Sequence, residues 1–392
     1  MRRESPNGGI IWVTAAMLLG AIGVYYFRHP SRATITHVIV SSTPNADQAE
    51  DLLVKAYHAN NTQPYTAITH AEVFAGGRWY RSSARITKAP DDMSLSYFNG
   101  ANNGMECGYD RNWMWRKPAS SPTIQPYAKL NDDVTNGRES RMQLLLHNYK
   151  VTWKGSAKID QRPADLLEIT PRHPMDDATG PAKRIWIDRA TKIPLRIETF
   201  NYQMMPVMRS SLSDLELLNT NSSSSFVDDA TIQAALAQTP WTVYQMGNNF
   251  DEAGRIAGVF PPLPDYLPAG FMREDVGLHR CSPQSDSCYA ALSRYSDGVD
   301  TLTLFALKPS CAQKLQLDQT SQNEEQNSAA QTDEQIYVFG SGAVSTRNTK
   351  NGSIVAVGDF SPDEMRRILH SIQLKPYSMA SELNGIAGAT SN

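Results

Sequence analysis

Cysteine is scarce in this chain, with four in 392 residues, too few for a fold built on disulfides. No CxxC pair and no histidine pair at ligand spacing occurs, which removes the usual zinc sites. An excess of one charge is also missing. The 37 Lys and Arg nearly balance the 40 Asp and Glu, for a net charge of -3, so nothing drives nucleic-acid binding by counterion release. There is no GxSxG elbow, Walker loop, HExxH or dinucleotide GxGxxG. Asp132-Asp133, Asp176-Asp177 and Asp228-Asp229 look like carboxylate pairs, but neighbours on an extended chain point to opposite faces. They read as solvated loops. His70 and His147 read as surface or satisfied histidines. The chain is therefore read as a binding protein, not an enzyme, with no metal and no cofactor.

Long apolar runs are limited to one, at residues 10–27 (IIWVTAAMLLGAIGVYYF). At ~1.5 Å per residue, such a span just crosses a hydrocarbon core of ~30 Å. Its ends carry Trp12, Tyr25, Tyr26 and Phe27, as in an interfacial belt. An uncleaved anchor is the first reading and a cleaved signal peptide, cut near Ala21-Ile22-Gly23, the second. Both put the chain from about residue 33 onward outside the cytoplasm. A single-pass protein of the inner or cytoplasmic membrane, with its bulk in the periplasm or extracytoplasmic space, is the expected placement. Hydrophobic residues at 41% and charged residues at 20% suit globular folding, and at ~150 residues per domain the length suggests two or three domains.

Cys281 and Cys288 bracket a turn-like SPQSDS segment between strand-like runs. A cystine across that hairpin is the expected disulfide, since paired strands bring Cβ atoms within bonding range. Spacing leaves open whether Cys107 and Cys311 pair or stay as thiols.

Residues 43–59 read as a helix, with Thr43 as cap, Pro44 in the first turn and an apolar stripe of Ala49, Leu52, Leu53, Ala56 and Tyr57. From 65 to about 218 the pattern is short strands at 65–75, 78–88, 93–98, 113–116, 149–155, 164–170, 183–188, 194–201 and 207–217. Connections too short for crossover helices make neighbours antiparallel. One helix interrupts near 138–147. A serine run at 222–225 marks a boundary, followed by a short helix at 228–238. A second group of strands spans about 271–357 and is interrupted by a polar stretch at 313–335. Ser361-Pro362-Asp363-Glu364 is a capping box that opens a final helix ending near Ile372.

Aromatics supply the candidate ligand contacts. Trp113 and Trp115 alternate, so both face one side of a strand. Tyr57, Tyr65, Phe74, Trp79, Trp153 and Trp186 lie on neighbouring elements. Together they are the expected lining of an apolar groove for an acyl chain or a lipidated partner, and core packing is the alternative for each.

Several phrases then carry a resemblance. Residues 182–198 (AKRIWIDRATKIPLRIE), with Arg162-Pro163-Ala164-Asp165 before them, are similar to the paired-strand segment of lipoprotein-carrier-like domains. The version they most resemble is that of the MucB/RseB family of sigma-E regulators. Leu267-Pro268-Ala269-Gly270-Phe271, Tyr295-Ser296-Asp297-Gly298 and Val355-Ala356-Val357-Gly358-Asp359-Phe360 resemble that family's C-terminal domain. The resemblance runs in order along about 46–375. It implies an α+β protein whose N-terminal domain is a curved antiparallel β half-barrel with helices on its concave face, followed by a smaller α+β domain. It also implies binding to the extracytoplasmic part of an anti-sigma-factor-like membrane protein, with a lipid or misassembly signal releasing it.

The expected organisation is a cytoplasmic leader at 1–9, an anchor at 10–27, a linker at 28–43 and the half-barrel at 44–219. A linker with a short helix follows at 220–258. The second domain takes 259–378 with its polar insertion at 313–335, and the tail 379–392. The expected function is a membrane-tethered envelope sensor that binds an anti-sigma-type partner. A lipid or lipoprotein carrier is the alternative.

Overall fold

The computed structural model describes residues 36–38, 46–75, 78–90, 92–100, 102–109, 113–129, 134–173, 180–201, 204–219, 229–238, 243–245, 249–281, 288–314, 334–339, 342–358 and 360–377. In chain order, β1 (Thr36–Val38) and α1 (Ala46–Thr62) precede β2 (Tyr65–Ala75), β3 (Arg78–Lys88), β4 (Met93–Asn99), β5 (Glu106–Tyr109), β6 (Trp113–Lys117) and β7 (Gln125–Lys129). Helix α2 (Val134–Asn148) leads into β8 (Tyr149–Ile159), β9 (Arg162–Pro171), β10 (Lys183–Asp188), β11 (Pro194–Phe200) and β12 (Pro206–Leu217). Next come α3 (Asp229–Gln238), β13 (Val243–Gln245), α4 (Phe250–Ala257), β14 (Met272–Arg280), β15 (Tyr289–Ser296) and β16 (Thr301–Leu307). The last elements are α5 (Pro309–Lys314), β17 (Glu334–Phe339), β18 (Gly342–Thr349), β19 (Gly352–Gly358) and α6 (Pro362–His370).

The 19 strands form one hydrogen-bonded ladder. Its first part runs β1-β8-β9-β10-β11-β12-β2-β3-β4-β5-β6-β7, every pair antiparallel. β13 joins β7 in parallel through Val243 and Ala128 and carries the ladder into β14-β15-β16-β19-β18-β17. The ladder does not close on itself among the described residues. The protein is thus α+β, with a large antiparallel sheet and few helices.

The helices cover particular stretches of the ladder. Ala49, Leu53 and Ala56 of α1, with Leu145 of α2, pack on Val151, Leu167, Ile169, Ile185 and Ile187. The i, i+4, i+7 spacing in α1 puts its apolar side chains on one face. Farther along the ladder, Tyr65, Ile86, Leu95, Cys107 and Leu212 form a second cluster. In the C-terminal part, Ala253 and Ala257 of α4 and Met365, Ile368 and Leu369 of α6 bury one side of β14–β16 and β19. Each large side chain of α6 contributes ~2 kcal/mol by leaving water. Ser361 caps α6 by accepting the Glu364 N–H at 3.1 Å.

Most expected strands coincide with observed ones, and β2, β3 and β10 match residue for residue. α1 runs to Thr62, beyond the expected end, and the Thr62 hydroxyl donates back to the His58 carbonyl at 2.8 Å. The expected cap at Thr43 lies outside the described residues, as does the apolar run at 10–27. Among the described residues, no helix is long and apolar enough to cross a membrane. The segment 220–258, expected to hold one short helix, holds two, α3 and α4. Asn249 caps α4 by accepting the Glu252 N–H at 3.0 Å, and Gly258 ends it at φ 74°.

The disulfide differs from expectation. The hairpin exists, with the Cys281 N–H donating to the Cys288 carbonyl at 2.9 Å. Yet Cys288 bonds to Cys311, with Cα atoms 5.5 Å apart. Cys288 is fully buried on the face of the sheet that α5 covers, among Leu292, Phe305 and Ala312, and Cys311 enters that same layer from α5. Cys281 keeps its thiol, which burial pushes up to about 12. Cys107 is a thiol buried in the other half of the ladder. Cys288–Cys311 closes a loop of sequence separation 23. A loop of that size predicts a loss of about 3 kcal/mol on reduction. Thermal unfolding with and without dithiothreitol reads this loss. Cys311→Ser should reproduce it and Cys281→Ser should not.

Candidate functional site

The expected groove aromatics do not line one surface. Tyr65 is 2% exposed in the β2–β5 core, and its hydroxyl donates to Asn60 Oδ1. Trp115 is 3% exposed against Ile232 of α3. Trp153 lies on the α1 side, its Nε1–H donating to Asp165 Oδ1 at 3.3 Å. Tyr57 is half-buried on α1. Trp113 opens β6, and its side chain lies outside the described residues.

Phe74, Trp79 and Trp186 are on the opposite side of the sheet from α1. Ile185 and Ile187 face α1, so alternation turns Arg184 and Trp186 away from it. Phe74 and Trp79 pair across β2 and β3 with ring centroids 5.5 Å apart. That face is charged. Register places Glu168 opposite Arg184, Arg184 opposite Glu198, Glu198 opposite Arg209 and Arg209 opposite Glu72. Arg81 then reaches Glu72 at 2.8 Å and Arg196 reaches Glu198 at 2.6 Å. The Arg209 guanidinium stacks over Trp79 at 4.8 Å, and Arg196 over Trp186 at 5.2 Å. The rings expected to meet an acyl chain are therefore roofed by arginines. The carboxylates of Glu72, Glu168 and Glu198 are 12–14% exposed, whereas Arg81, Arg184 and Arg209 are 33–71% exposed. The outward chemistry is cationic, suited to acidic groups.

His70 belongs to the same face. Its two ring nitrogens are each 3.0 Å from a serine hydroxyl, Ser83 on β3 and Ser213 on β12. Burial lowers its pKa, against the opposing charges of Asp214 and Asp160. It ties three strands together as a satisfied histidine.

A second site stands where the two parts of the ladder meet, and the groove reading passed over it. The turn between β15 and β16 (Ser296–Asp300) inserts against α2, β8 and β10. Tyr149 Oη donates to Asp297 Oδ2. Asn148 Nδ2 donates to the carbonyls of Gly270 at 3.0 Å and Asp297 at 2.9 Å. Lys183 Nζ donates to the Val299 carbonyl at 3.3 Å. Val299 itself joins the α1–α2 core. Arg141 of α2 makes a two-pronged bond to Glu274 of β14, and Arg294 of β15 contacts both Glu274 and Asp275. In the sequence, Tyr295-Ser296-Asp297-Gly298 shows only a glycine turn. Nothing local says that Asn148 and Tyr149, about 150 residues earlier, receive it.

Among the described residues, no group of three or more His, Cys, Asp and Glu could hold a metal ion. A cavity of about 440 Å³ lies between α4, Pro261–Leu263 and Gln373–Lys375, with Phe250 and Phe260 stacked in its wall.

Residues 94–235, from β4 into α3, match the family model for the MucB/RseB N-terminal domain. That segment, about a third of the chain, is similar to the MucB/RseB N-terminal domain. Its fold is similar to the complex structure of Pseudomonas aeruginosa MucA/MucB, at 16% identity and a TM-score of 0.52, covering 84% of this chain and 99% of that one. A crystal structure of MucB in complex with the periplasmic part of MucA gives 17% identity, a TM-score of 0.50 and the same coverage. No curated protein matches the chain. The MucB/RseB likeness thus extends in fold beyond the family-matched segment, through the junction and into the C-terminal sheet.

Proposed function

We propose that this chain is an extracytoplasmic regulator, tethered to the inner membrane through residues 10–27, that binds the outer part of an anti-sigma-factor-type membrane protein. The observation that carries this reading is the fold likeness, over both parts of the ladder, to MucB structures solved with MucA. Tethering supports partner binding over free transport, because confinement at the bilayer raises the effective concentration of a membrane partner. The first part of the ladder acts as the curved half-barrel of the family. Tyr57, Trp113 and Trp153 are the side chains offered to an apolar ligand there, and the arginine-roofed face is offered to acidic groups.

A lipid or lipoprotein carrier is the weaker reading. A carrier trough needs its aromatics open on one face, whereas Tyr65, Trp115 and Trp186 are buried and Trp79 lies under Arg209. Affinity purification of the tagged full chain from host envelopes distinguishes the two. The regulator reading expects one bitopic membrane protein near unit stoichiometry by quantitative mass spectrometry. Recovery of lipid or lipoprotein in stoichiometric amount, with no such protein, overturns it.

A further inference from the structure

The arginine-roofed face carries one continuous charge ladder. Lys154 on β8 and Arg184 on β10 each reach Glu168 on β9 at 3.0 Å. Arg184 lies opposite Glu198 on β11 in register. Arg209 on β12 contacts Glu198 at 3.8 Å and Glu72 on β2 at 3.3 Å, and Arg81 on β3 ends the row on Glu72. Cation and carboxylate thus alternate over adjacent strands from β8 to β3, a line of ~29 Å at ~4.8 Å per strand. The carboxylates lie low in the sheet, whereas Arg81, Lys154, Arg184 and Arg209 are more open to solvent. Arg85, farther along β3 from Arg81, shares its face by alternation and is exposed. The row therefore neutralises itself beneath and turns guanidinium and ammonium groups outward, in a chain whose net charge is -3.

A straight row on the open face of a sheet suits an extended anionic surface better than one small anion, and arginine pairs with phosphate through two parallel bonds. The path of the chain bears on which surface that is. β1 pairs Val38 with Ser156 of β8, two residues from Lys154. From Phe27, the end of the apolar run, to Thr36 the chain spans at most ~32 Å. For a chain anchored through residues 10–27, the row thus starts beside the point where the tether enters the sheet, within reach of the bilayer.

We infer that this row lies against the anionic phospholipid surface of the membrane that anchors the chain, so that the α1 side of the sheet faces away from the bilayer. The inference deepens the tethered reading and rests on it. Confinement lets an attraction too weak to hold a free protein set the orientation of an anchored one.

The full chain reconstituted in lipid nanodiscs reads the orientation. A fluorophore at Ser96→Cys, exposed on β4 opposite Arg85, reports on the face, and one at Lys350→Cys, exposed between β18 and β19, is the control. A quencher attached to lipid headgroups should dim the Ser96 site in discs containing phosphatidylglycerol and far less in phosphatidylcholine discs. The Lys350 site should be equal in both. Arg81→Gln, Arg85→Gln and Lys154→Gln together should remove the difference, and raised salt should do the same. Glu72 and Glu168 keep Arg209 and Arg184 in that variant, so the sheet stays folded. At about fivefold per cation, the ratio of face-down to face-up chains should fall about a hundredfold. Equal quenching of Ser96 in both lipids, or a triple variant that behaves as the parent, overturns the inference. So does a Ser96 site indifferent to phosphatidylglycerol but shielded by added bitopic protein, which would make the face a site for an acidic protein segment. Retention in phosphatidylcholine discs separately reads the anchor. If the chain is not retained, the tethered reading fails. Capture by phosphatidylglycerol discs, lost in the triple variant, then still supports the lipid face, and absence of that capture overturns it.

Discussion

Replacing Gly298 with valine is expected to lift the β15–β16 turn off α2. Gly298 has φ 99°, a region in which a β-branched residue is strained. A Cβ there would also lie 2.3 Å from the Leu145 backbone nitrogen and 2.6 Å from its Cα. Neither atom can move without breaking α2. Strain and overlap each cost ~1–3 kcal/mol, so the turn leaves before the helix does. Val299 would then quit the α1–α2 core, and Tyr149 would lose its carboxylate acceptor. Two readouts apply together. Circular dichroism should keep its strand signal, while protease cleavage at the junction should accelerate by tenfold or more. A valine variant as resistant as the parent would mean that the turn is not held as described.

The second large effect is at Asp188, at the head of the β10–β11 turn. Its side chain is 1% exposed and accepts Arg162 Nη2 at 2.9 Å, the Thr191 N–H at 2.9 Å and the Thr191 hydroxyl at 2.7 Å. Asp188→Ala leaves a guanidinium and a turn amide without their partner. Breaking such a buried pair costs about 3 kcal/mol, the low end of the usual range because Arg162 is itself 32% exposed and can recover water. The pH dependence carries a sign. Burial by itself would raise the Asp188 pKa, but the bonds from Arg162 and Thr191 outweigh it and hold the group below its ordinary 3.8. Its contribution is therefore complete at neutral pH and fades as pH falls below about 4. Urea unfolding should show the gap between wild type and Asp188→Ala at pH 7 and a smaller gap at pH 3. An equal gap at both would assign the loss to packing, not to the ion pair.

Legibility in the sequence followed the range of the interactions. Strands β2, β3 and β10 were readable because alternation and turn residues are local. The same holds for α6, where Ser361, Pro362 and Glu364 fall within one turn. β5 and β7 were missed, being short and polar, one with Gly108 and the other with Pro126. α4 was missed although Asn249 and Gly258 bracket it, because eight residues give little periodicity to read. The hairpin at Cys281 and Cys288 was readable, but its sulfur chemistry was not. The covering helix α5 brings Cys311 to the buried face of the sheet, and no spacing rule contains that. The groove failed for a related reason. Alternation says which residues share a face, not which face a helix covers. Trp186 and Trp79 turned out to lie beneath Arg196 and Arg209. The turn at Tyr295-Ser296-Asp297-Gly298 is legible as a turn, while its use as a plug depends on Asn148 and Tyr149, which only the tertiary structure brings near.

The central claim is that this chain holds a membrane protein instead of carrying cargo. Its most direct test is protease protection. The bitopic protein recovered with the full chain is mixed with it in detergent, and the lifetime of that protein's outer segment is followed under limiting protease. The account predicts that one equivalent of this chain prolongs the lifetime, and that a second adds nothing. An outer segment digested at the same rate with and without the chain, while the chain retains bound lipid, would contradict it.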